Sequence, residues 1–179
     1  MYYCVKSFII AYILFLAFQS YAQDTIRCSK YVTQSYDSIT DESYSSAEIL
    51  IPARGKNIGF AVLLFTGTYH DYVTCDIVCV SQSMVCLNSR NVMSFVFTDG
   101  SKLDIKSDGD FNCEGNSELH FGGAYEHKTE YQIFKSKEIR SIGIMTANGW
   151  VQNTLTAEQG RQIRFAFECL SDVLKRQEY

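Results

Sequence analysis

The chain lacks several features that mark large classes of protein. It contains one proline and one tryptophan among 179 residues, and no internal repeat, so it is neither a proline-rich linker nor a repeat array. Its 46% hydrophobic residues exclude an intrinsically disordered chain. Lys and Arg number 16 against 20 acidic residues, whereas a nucleic-acid-binding protein needs an excess of cations to displace counterions. We therefore expect no nucleic-acid partner.

The long apolar run near the start is too short to cross a membrane. Phe8–Phe18 has 11 residues, and a membrane-spanning helix needs ~20. Lys6 precedes this run, and Ser20 and Ala22 are the small residues that signal peptidase requires. The pattern is typical of a secretory signal peptide cleaved between Ala22 and Gln23. It predicts an exported protein, periplasmic or extracellular, with no stable membrane span after cleavage.

The cysteine count agrees with export. Residues 1–22 are expected to be the signal peptide, and residues 23–179 a single α+β domain that contains disulfides. Six of the seven cysteines then remain: Cys28, Cys75, Cys79, Cys86, Cys113 and Cys169. An even number in an exported chain predicts three disulfides. Zinc binding is disfavoured, because the sequence offers no second pair of ligands to match the spacing of Cys75 and Cys79.

Turn chemistry favours one particular disulfide. Asp99-Gly100 between two alternating runs predicts a two-residue hairpin turn, which pairs positions whose numbers sum to 199. Cys86 and Cys113 satisfy this sum. A competing turn at Gln82-Ser83 would instead join Cys79 to Cys86, but Asp-Gly is the stronger turn signal. We therefore predict a Cys86–Cys113 disulfide.

The other four cysteines divide into a distant pair and a close one. Cys28 and Cys169 lie near the two ends of residues 23–179, and we predict that they are joined. Cys75 and Cys79 lie on one strand about 13 Å apart, which is too far for direct bonding. They are left free, strained across a bulge, or paired in another way.

Periodicity predicts an α+β fold, with a twisted antiparallel β-sheet or partly closed barrel and a C-terminal amphipathic helix packed on it. Residues 23–46 are polar and predict a loose arm or edge structure. Alternation and apolar runs predict strands at Ile49–Ile51, Ile58–Thr66 and Val73–Cys79, and hairpins over Phe95–Ile105 and Ile139–Leu155 with Asn148-Gly149 marking the second turn.

Helix signals are strongest at the C-terminal end. Thr156 and Gln159 fit a capping box, and an apolar stripe follows at helical spacing. Arg164–Glu168 and Asp172–Arg176 are i,i+4 pairs, which indicate a solvated face of mixed charge rather than a basic surface. A second, short helix is expected near Thr129–Lys135.

Taken together, these segments resemble small exported proteins of unknown function that are common in Bacteroidetes-type bacteria. The resemblance implies periplasmic or extracellular residence and no established activity. It rests on the early Cys28, Phe97–Leu103, Asn112-Cys113, Phe134–Thr146, Asn148–Val151 and Glu168–Leu170.

Histidines are the first candidates for chemistry. His70 precedes Asp71 and Tyr72, which could act as acid–base partners in a small hydrolase-like enzyme. The sequence has no G-x-S-x-G nucleophile elbow, and a polar turn explains the same residues. His120 and His127 could bind a metal, but spacing supplies no third ligand. We therefore assign no catalytic residue, no cofactor and no metal ligand.

A partial calcium-loop pattern is also present. Asp108, Asp110 and Asn112 match the first three ligand positions, but Cys113 replaces the glycine and Leu119 replaces the last chelating glutamate. These residue types are also common in turns. We expect no calcium binding at micromolar concentration.

Tyrosines provide a candidate binding surface. Several lie in polar contexts, where a ring can be buried in an interface while its hydroxyl stays wet; edge-strand filling is the competing explanation. These are Tyr31, Tyr36, Tyr44, Tyr69, Tyr72, Tyr125 and Tyr131. Because recognisable catalytic motifs are missing, the sequence favours an exported, non-catalytic binding module with an unknown protein or envelope component as partner. A hydrolase-like enzyme using His70 and Asp71, or a small-ligand carrier with a pocket between sheet and helix, is the alternative.

Overall fold

The computed structural model describes residues 28–53, 58–67, 69–88, 91–122 and 127–177. The expected signal peptide and its cleavage site at Ala22 and Gln23 lie outside the described residues. The described part contains nine strands and two helices. In chain order they are β1 (Thr33–Asp37), β2 (Glu42–Ile51), β3 (Ile58–Gly67), β4 (Tyr72–Ser81), β5 (Val92–Phe97), β6 (Lys102–Lys106), β7 (Asn116–Gly122), α1 (Lys128–Ser136), β8 (Ile139–Thr146), β9 (Gly149–Thr154) and α2 (Ala157–Gln177).

The strands form two antiparallel sheets. Sheet 1 has the order β1-β2-β3-β4-β7, and sheet 2 has the order β6-β5-β8-β9. The predicted α+β class, with antiparallel strands and a C-terminal helix packed on them, is confirmed. The partly closed barrel is wrong, because the described strands remain in two separate sheets whose edges do not join.

One continuous core lies between the inner faces of the sheets and the two helices. Its centre is a group of aromatic rings around Phe121, whose centroid lies 5.3 Å from that of Phe134 and 5.3 Å from that of Phe167. All three rings are buried, and burial of each contributes about 1.5–3 kcal/mol relative to exposure. Both helices therefore pack on the inner side of sheet 1, and neither helix covers its outer side.

The C-terminal helix begins as its sequence predicts. The Gln159 backbone N–H donates to Thr156 Oγ1 at 3.2 Å, and the Thr156 backbone N–H donates to Gln159 Oε1 at 2.8 Å. This reciprocal pair is the capping box. The first i,i+4 ion pair is also present, with 3.6 Å between Arg164 Nη1 and Glu168 Oε2. The side chain of Arg176 lies outside the described residues.

The turn of the β5–β6 hairpin is one residue longer than expected. Val92 pairs with Lys106 across β5 and β6, so the turn has three residues instead of two. The Phe97 N–H donates to the Ser101 carbonyl at 2.9 Å, and Gly100 has a φ of +84°. A third loop residue, with glycine in the left-handed region, is the common alternative to a two-residue turn.

Two other segments differ from the expectation. In the β8–β9 hairpin Thr146 pairs with Gly149, so Ala147-Asn148 forms the turn and Gly149 already belongs to β9. The polar segment expected to be a loose arm or edge structure contains the edge strand β1 and the start of β2, so the edge-structure alternative is confirmed. Strand β7 was not predicted at all, although it alternates polar and apolar residues.

Two disulfides are present, and they are the two pairings that the sequence predicts. Cys28 is bonded to Cys169, and Cys86 to Cys113; we call them the long-range and the short-range disulfide. Isolated bridges between Leu87 and Asn112 and between Val85 and Glu114 bring the second pair together. The expected third disulfide is wrong, because the other two described cysteines, Cys75 and Cys79 on β4, are buried free thiols, which is one of the alternatives that the sequence left open for them.

Candidate functional site

Charge is divided unevenly between the two sheets. The five strands of sheet 1 contain five acidic residues and no Lys or Arg. The four strands of sheet 2 contain three basic residues and one acidic residue. The outer side of sheet 1, opposite the helices, is the candidate functional site.

Strand register aligns three of the carboxylates across the sheet. Glu48 on β2 pairs with Leu63 on β3, Leu63 pairs with Asp76 on β4, and Asp76 pairs with Glu118 on β7. Directly paired residues in an antiparallel sheet project from the same face. The outer side of sheet 1, with Glu48, Asp76 and Glu118 in one row, is hereafter the acidic face.

Apolar and aromatic side chains surround this row. The row on one side contains Leu50, Ala61 and Val78 in register, and the row on the other side contains Phe65 and His120. Leu50 is 61% exposed, and Leu63, Phe65 and Val78 are half-buried. The carboxylates therefore stand on a partly apolar surface, where the local dielectric constant is lower than in water.

Asp76 is the most strongly perturbed carboxylate of the row. Burial, and then the neighbouring charge of Glu118, raise the pKa of Asp76 to about 6, while His120 acts in the opposite direction. Asp76 Oδ1 is buried and has no hydrogen-bond partner among the described residues. A carboxylate in this position is ionised at neutral pH at a cost to the folded state.

A chain of histidines and carboxylates continues from the end of the row. His120 Nε2 lies 3.1 Å from Glu118 Oε1, and His120 Nδ1 lies 3.5 Å from Asp108 Oδ2. His127 Nε2 lies 3.4 Å from Asp108 Oδ1. The Asp108 carboxylate also accepts a hydrogen bond from the His120 backbone N–H at 2.8 Å. These side-chain contacts link β7 to the start of α1 through the loop that follows β6.

These residues do not form a metal centre as they stand. The structure places Asp108 between His120 and His127, but each imidazole faces a different carboxylate oxygen. Within the described ranges, no group of three or more His, Cys, Asp or Glu residues has a geometry that could hold a metal ion. Asp108 is also directed at the histidines, which separates it from the other residues of the calcium-like pattern, Asp110 and Asn112.

The hydrolase candidates lie at the edge of the acidic face. The acidic group described near His70 is Glu42, at 3.9 Å between His70 Nε2 and Glu42 Oε1, rather than Asp71. The His70 ring stacks on Tyr72 with centroids 4.9 Å apart. His70 Nδ1 is buried without a hydrogen-bond partner among the described residues. The pairing of His70 with Asp71 that a hydrolase would use is therefore not formed by these contacts.

The tyrosines considered as a binding surface, with edge-strand filling as the competing explanation, do not gather in one place. Tyr44 and Tyr72 border the acidic face, and the Tyr44 hydroxyl donates to Glu42. Tyr131 is in the core, and Tyr31 stacks on Phe165 of α2. The other three are exposed or lie outside the described residues: Tyr36 and Tyr69 are 62% and 73% exposed, and Tyr125 is not described.

A cavity near the long-range disulfide bears on the carrier alternative. It has a volume of about 360 Å³ and lies between the start of sheet 1 and the C-terminal half of α2. Its lining includes Cys28, Thr33 and Gln34 on one side and Cys169 and Asp172 on the other, and Thr33 and Gln34 belong to β1. It therefore lies between the edge strand of sheet 1 and a helix, where the carrier hypothesis places its pocket; that this cavity binds a ligand stays a prediction.

The fold and the site together define an α+β domain with two disulfides and one open, acidic sheet face. Comparison with family models, with curated proteins and with solved structures finds no match to this chain. No helix in the described ranges is long and apolar enough to cross a membrane. The two disulfides indicate an oxidising, exported environment.

Proposed function

We propose that this chain is an exported, non-catalytic binding module that contacts its partner through the acidic face. The observation that carries this proposal is the row of Glu48, Asp76 and Glu118, which stands on a sheet whose strands supply no Lys or Arg. Ionised carboxylates on a partly apolar surface are costly without a counter-charge. A partner that supplies positive charge removes that cost.

The face, rather than a strand edge, is the contact surface in this proposal. The outer edge of β7 is already occupied by the loop after β6, because the Asp108 N–H donates to the Glu118 carbonyl at 2.8 Å. The Glu118 N–H donates to Ser107 Oγ at 3.2 Å. With these backbone groups in use, a partner strand cannot extend the sheet beside Glu118.

A photo-crosslinking experiment tests the function. A benzophenone amino acid is placed at Leu50 on the acidic face, and in a matched control at Met145 on the outer side of sheet 2; the two side chains are 61% and 44% exposed. In the native exported compartment we expect an adduct from position 50 and none from position 145. An adduct from position 145 alone, or none from either, would contradict the proposal.

A further inference from the structure

We propose that the partner of the acidic face is an extended polypeptide segment rich in Lys and Arg. This inference rests on the proposed function and adds the chemistry of the partner. It commits to a polypeptide, in which long cationic side chains are presented at regular spacing.

Charge complementarity is the first argument. The charged groups that act on Asp76 are Glu118, which raises its pKa, and His120, which lowers it. His120 already lies between Glu118 and Asp108, so it is not a partner of Asp76 alone. Glu48, on the other side of Leu63, is exposed. Among the described residues, the neighbours of the row on this face therefore do not balance its negative charge.

The shape of lysine and arginine side chains is the second argument. Glu48 and Asp76 are separated by strand β3, hence by about 10 Å at the usual distance between strands. Leu63 lies between them, with Phe65 beside it. Lys and Arg pack their aliphatic stems on apolar surface while the charged head reaches a polar group. An aliphatic stem that packs on Leu63 therefore places its charged head near Glu48 or near Asp76.

Aromatic rings near the row strengthen this recognition. Phe65 lies next to Leu63 on the same face, and Tyr44 and Tyr72 border it. A guanidinium or ammonium group is attracted to the face of such a ring by the ring's quadrupole. A bare metal ion would gain little from these rings, and a membrane with anionic lipids would be repelled by the carboxylates.

An extended segment matches the dimensions of the face. Alternate residues of an extended chain project to one side about 7 Å apart, and the flexible stems of Lys or Arg cover the remaining distance to carboxylates about 10 Å apart. The row of three carboxylates spans four strands, or about 14 Å. Two or three basic residues of one segment can therefore engage the row together.

The test uses defined probes with the mature, oxidised protein. A short fluorescein-labelled peptide of alternating arginine and serine is compared by anisotropy with its glutamine-for-arginine counterpart and with unlabelled spermine as a competitor. We expect the arginine peptide to bind, the glutamine peptide not to bind, and spermine to compete only weakly. Equal binding of the glutamine peptide would refute the charge argument, and competition by spermine at the concentration of the peptide itself would refute the polypeptide part.

Matched variants locate the site. The variant Glu48→Gln/Asp76→Asn/Glu118→Gln should bind the arginine peptide about tenfold more weakly or worse, since it removes all three charges of the row at once. The control removes the same charges elsewhere, at three positions remote from the row: Asp104→Asn, Glu130→Gln and Glu158→Gln. We expect the control to bind within twofold of the unmodified protein. An equal loss in both variants would refute the location.

Two further outcomes keep the inference separate from the function. On the unmodified protein, raising salt from ~50 to ~500 mM should weaken binding several-fold, because exposed charges are screened; no salt dependence would refute the inference without any variant. A crosslinked adduct at position 50 together with no binding of the arginine peptide would refute the basic partner and leave the binding function standing.

Discussion

Replacing Asp76 by asparagine should stabilise the folded protein at alkaline pH. Asp76 carries a charge between Leu63 and Glu118, and its Oδ1 atom has no hydrogen-bond partner among the described residues. Asparagine has nearly the same shape without the charge, and its amide N–H groups can donate to the Glu118 carboxylate. The substitution removes a half-buried charge and adds a hydrogen bond.

The sign and the size of this effect follow from the pKa of Asp76. Its value is raised from 3.8 to about 6, first by burial and then by Glu118. A carboxylate with a raised pKa in the folded state lowers stability above that pKa, and the loss disappears below the unfolded-state value. The full difference corresponds to ~3 kcal/mol, and partial solvent exposure of Asp76 reduces it to about 1–2 kcal/mol.

Urea unfolding across a range of pH measures the effect. The free energy of unfolding of Asp76→Asn should exceed that of the unmodified protein by about 1–2 kcal/mol near pH 8, and this difference should shrink as pH falls through about 6. Asp104→Asn is the matched control. Hydrogen bonds from Ser94 and Lys102 lower the pKa of Asp104, so its loss should not stabilise the protein at any pH. A difference for Asp76→Asn that is negative, or independent of pH, would refute the reasoning.

Three further predictions concern the covalent framework and the packing. Replacing both cysteines of the long-range disulfide by alanine should lower the free energy of unfolding by about 5 kcal/mol, and the same change at the short-range disulfide should lower it by about 3.5 kcal/mol. The difference arises because the two sequence separations are 141 and 27. Equal losses measured by chemical denaturation would contradict this. Gly143→Ala should displace the single tryptophan, since a Cβ there would lie 2.2 Å from Trp150 Cζ2, and tryptophan fluorescence should shift with a loss of about 1–3 kcal/mol; an unchanged spectrum would show that the ring does not lie on Gly143. Cys75 and Cys79 are buried, and burial raises the pKa of both thiols, so iodoacetamide should label them only after unfolding, as mass spectrometry would show; labelling of the folded protein would contradict the described core.

Local sequence signals predicted the parts of the fold that depend on local chemistry. The capping box at Thr156 needs only residues within one helical turn. The Asp99-Gly100 signal placed the hairpin correctly, but its loop has three residues, because Gly100 adopts a positive φ after a turn that begins one residue earlier than expected. The Cys86–Cys113 pairing was predicted from pairs whose numbers sum to 199. That sum holds at the bridges beside the disulfide, Leu87 with Asn112 and Val85 with Glu114, whereas the pairs of the β5–β6 hairpin sum to 198.

The acidic face was not predicted, because it depends on contacts between distant segments. Asp76 and Glu118 are 42 positions apart in the chain, and only the pairing of β4 with β7 brings them together. A signal for β7 was present, since Ser117, Leu119 and Phe121 alternate with polar residues. The three carboxylates carry no local signal of their own. They form a row only through the strand register, and their charge stands out only because the strands of sheet 1 contain no Lys or Arg.

The uneven charge of the two sheets separates positive from negative charge across the described strands. Sheet 1 carries five acidic residues without Lys or Arg, and sheet 2 carries more basic than acidic residues. A separation of charge over the thickness of a domain is a permanent dipole, and the field of a basic partner exerts a torque on it before contact. If the partner is the basic segment proposed above, the domain approaches it with sheet 1 foremost, and the fraction of collisions that are productive rises. Salt shortens the range of this steering, so the association rate should depend on ionic strength more steeply than the dissociation rate.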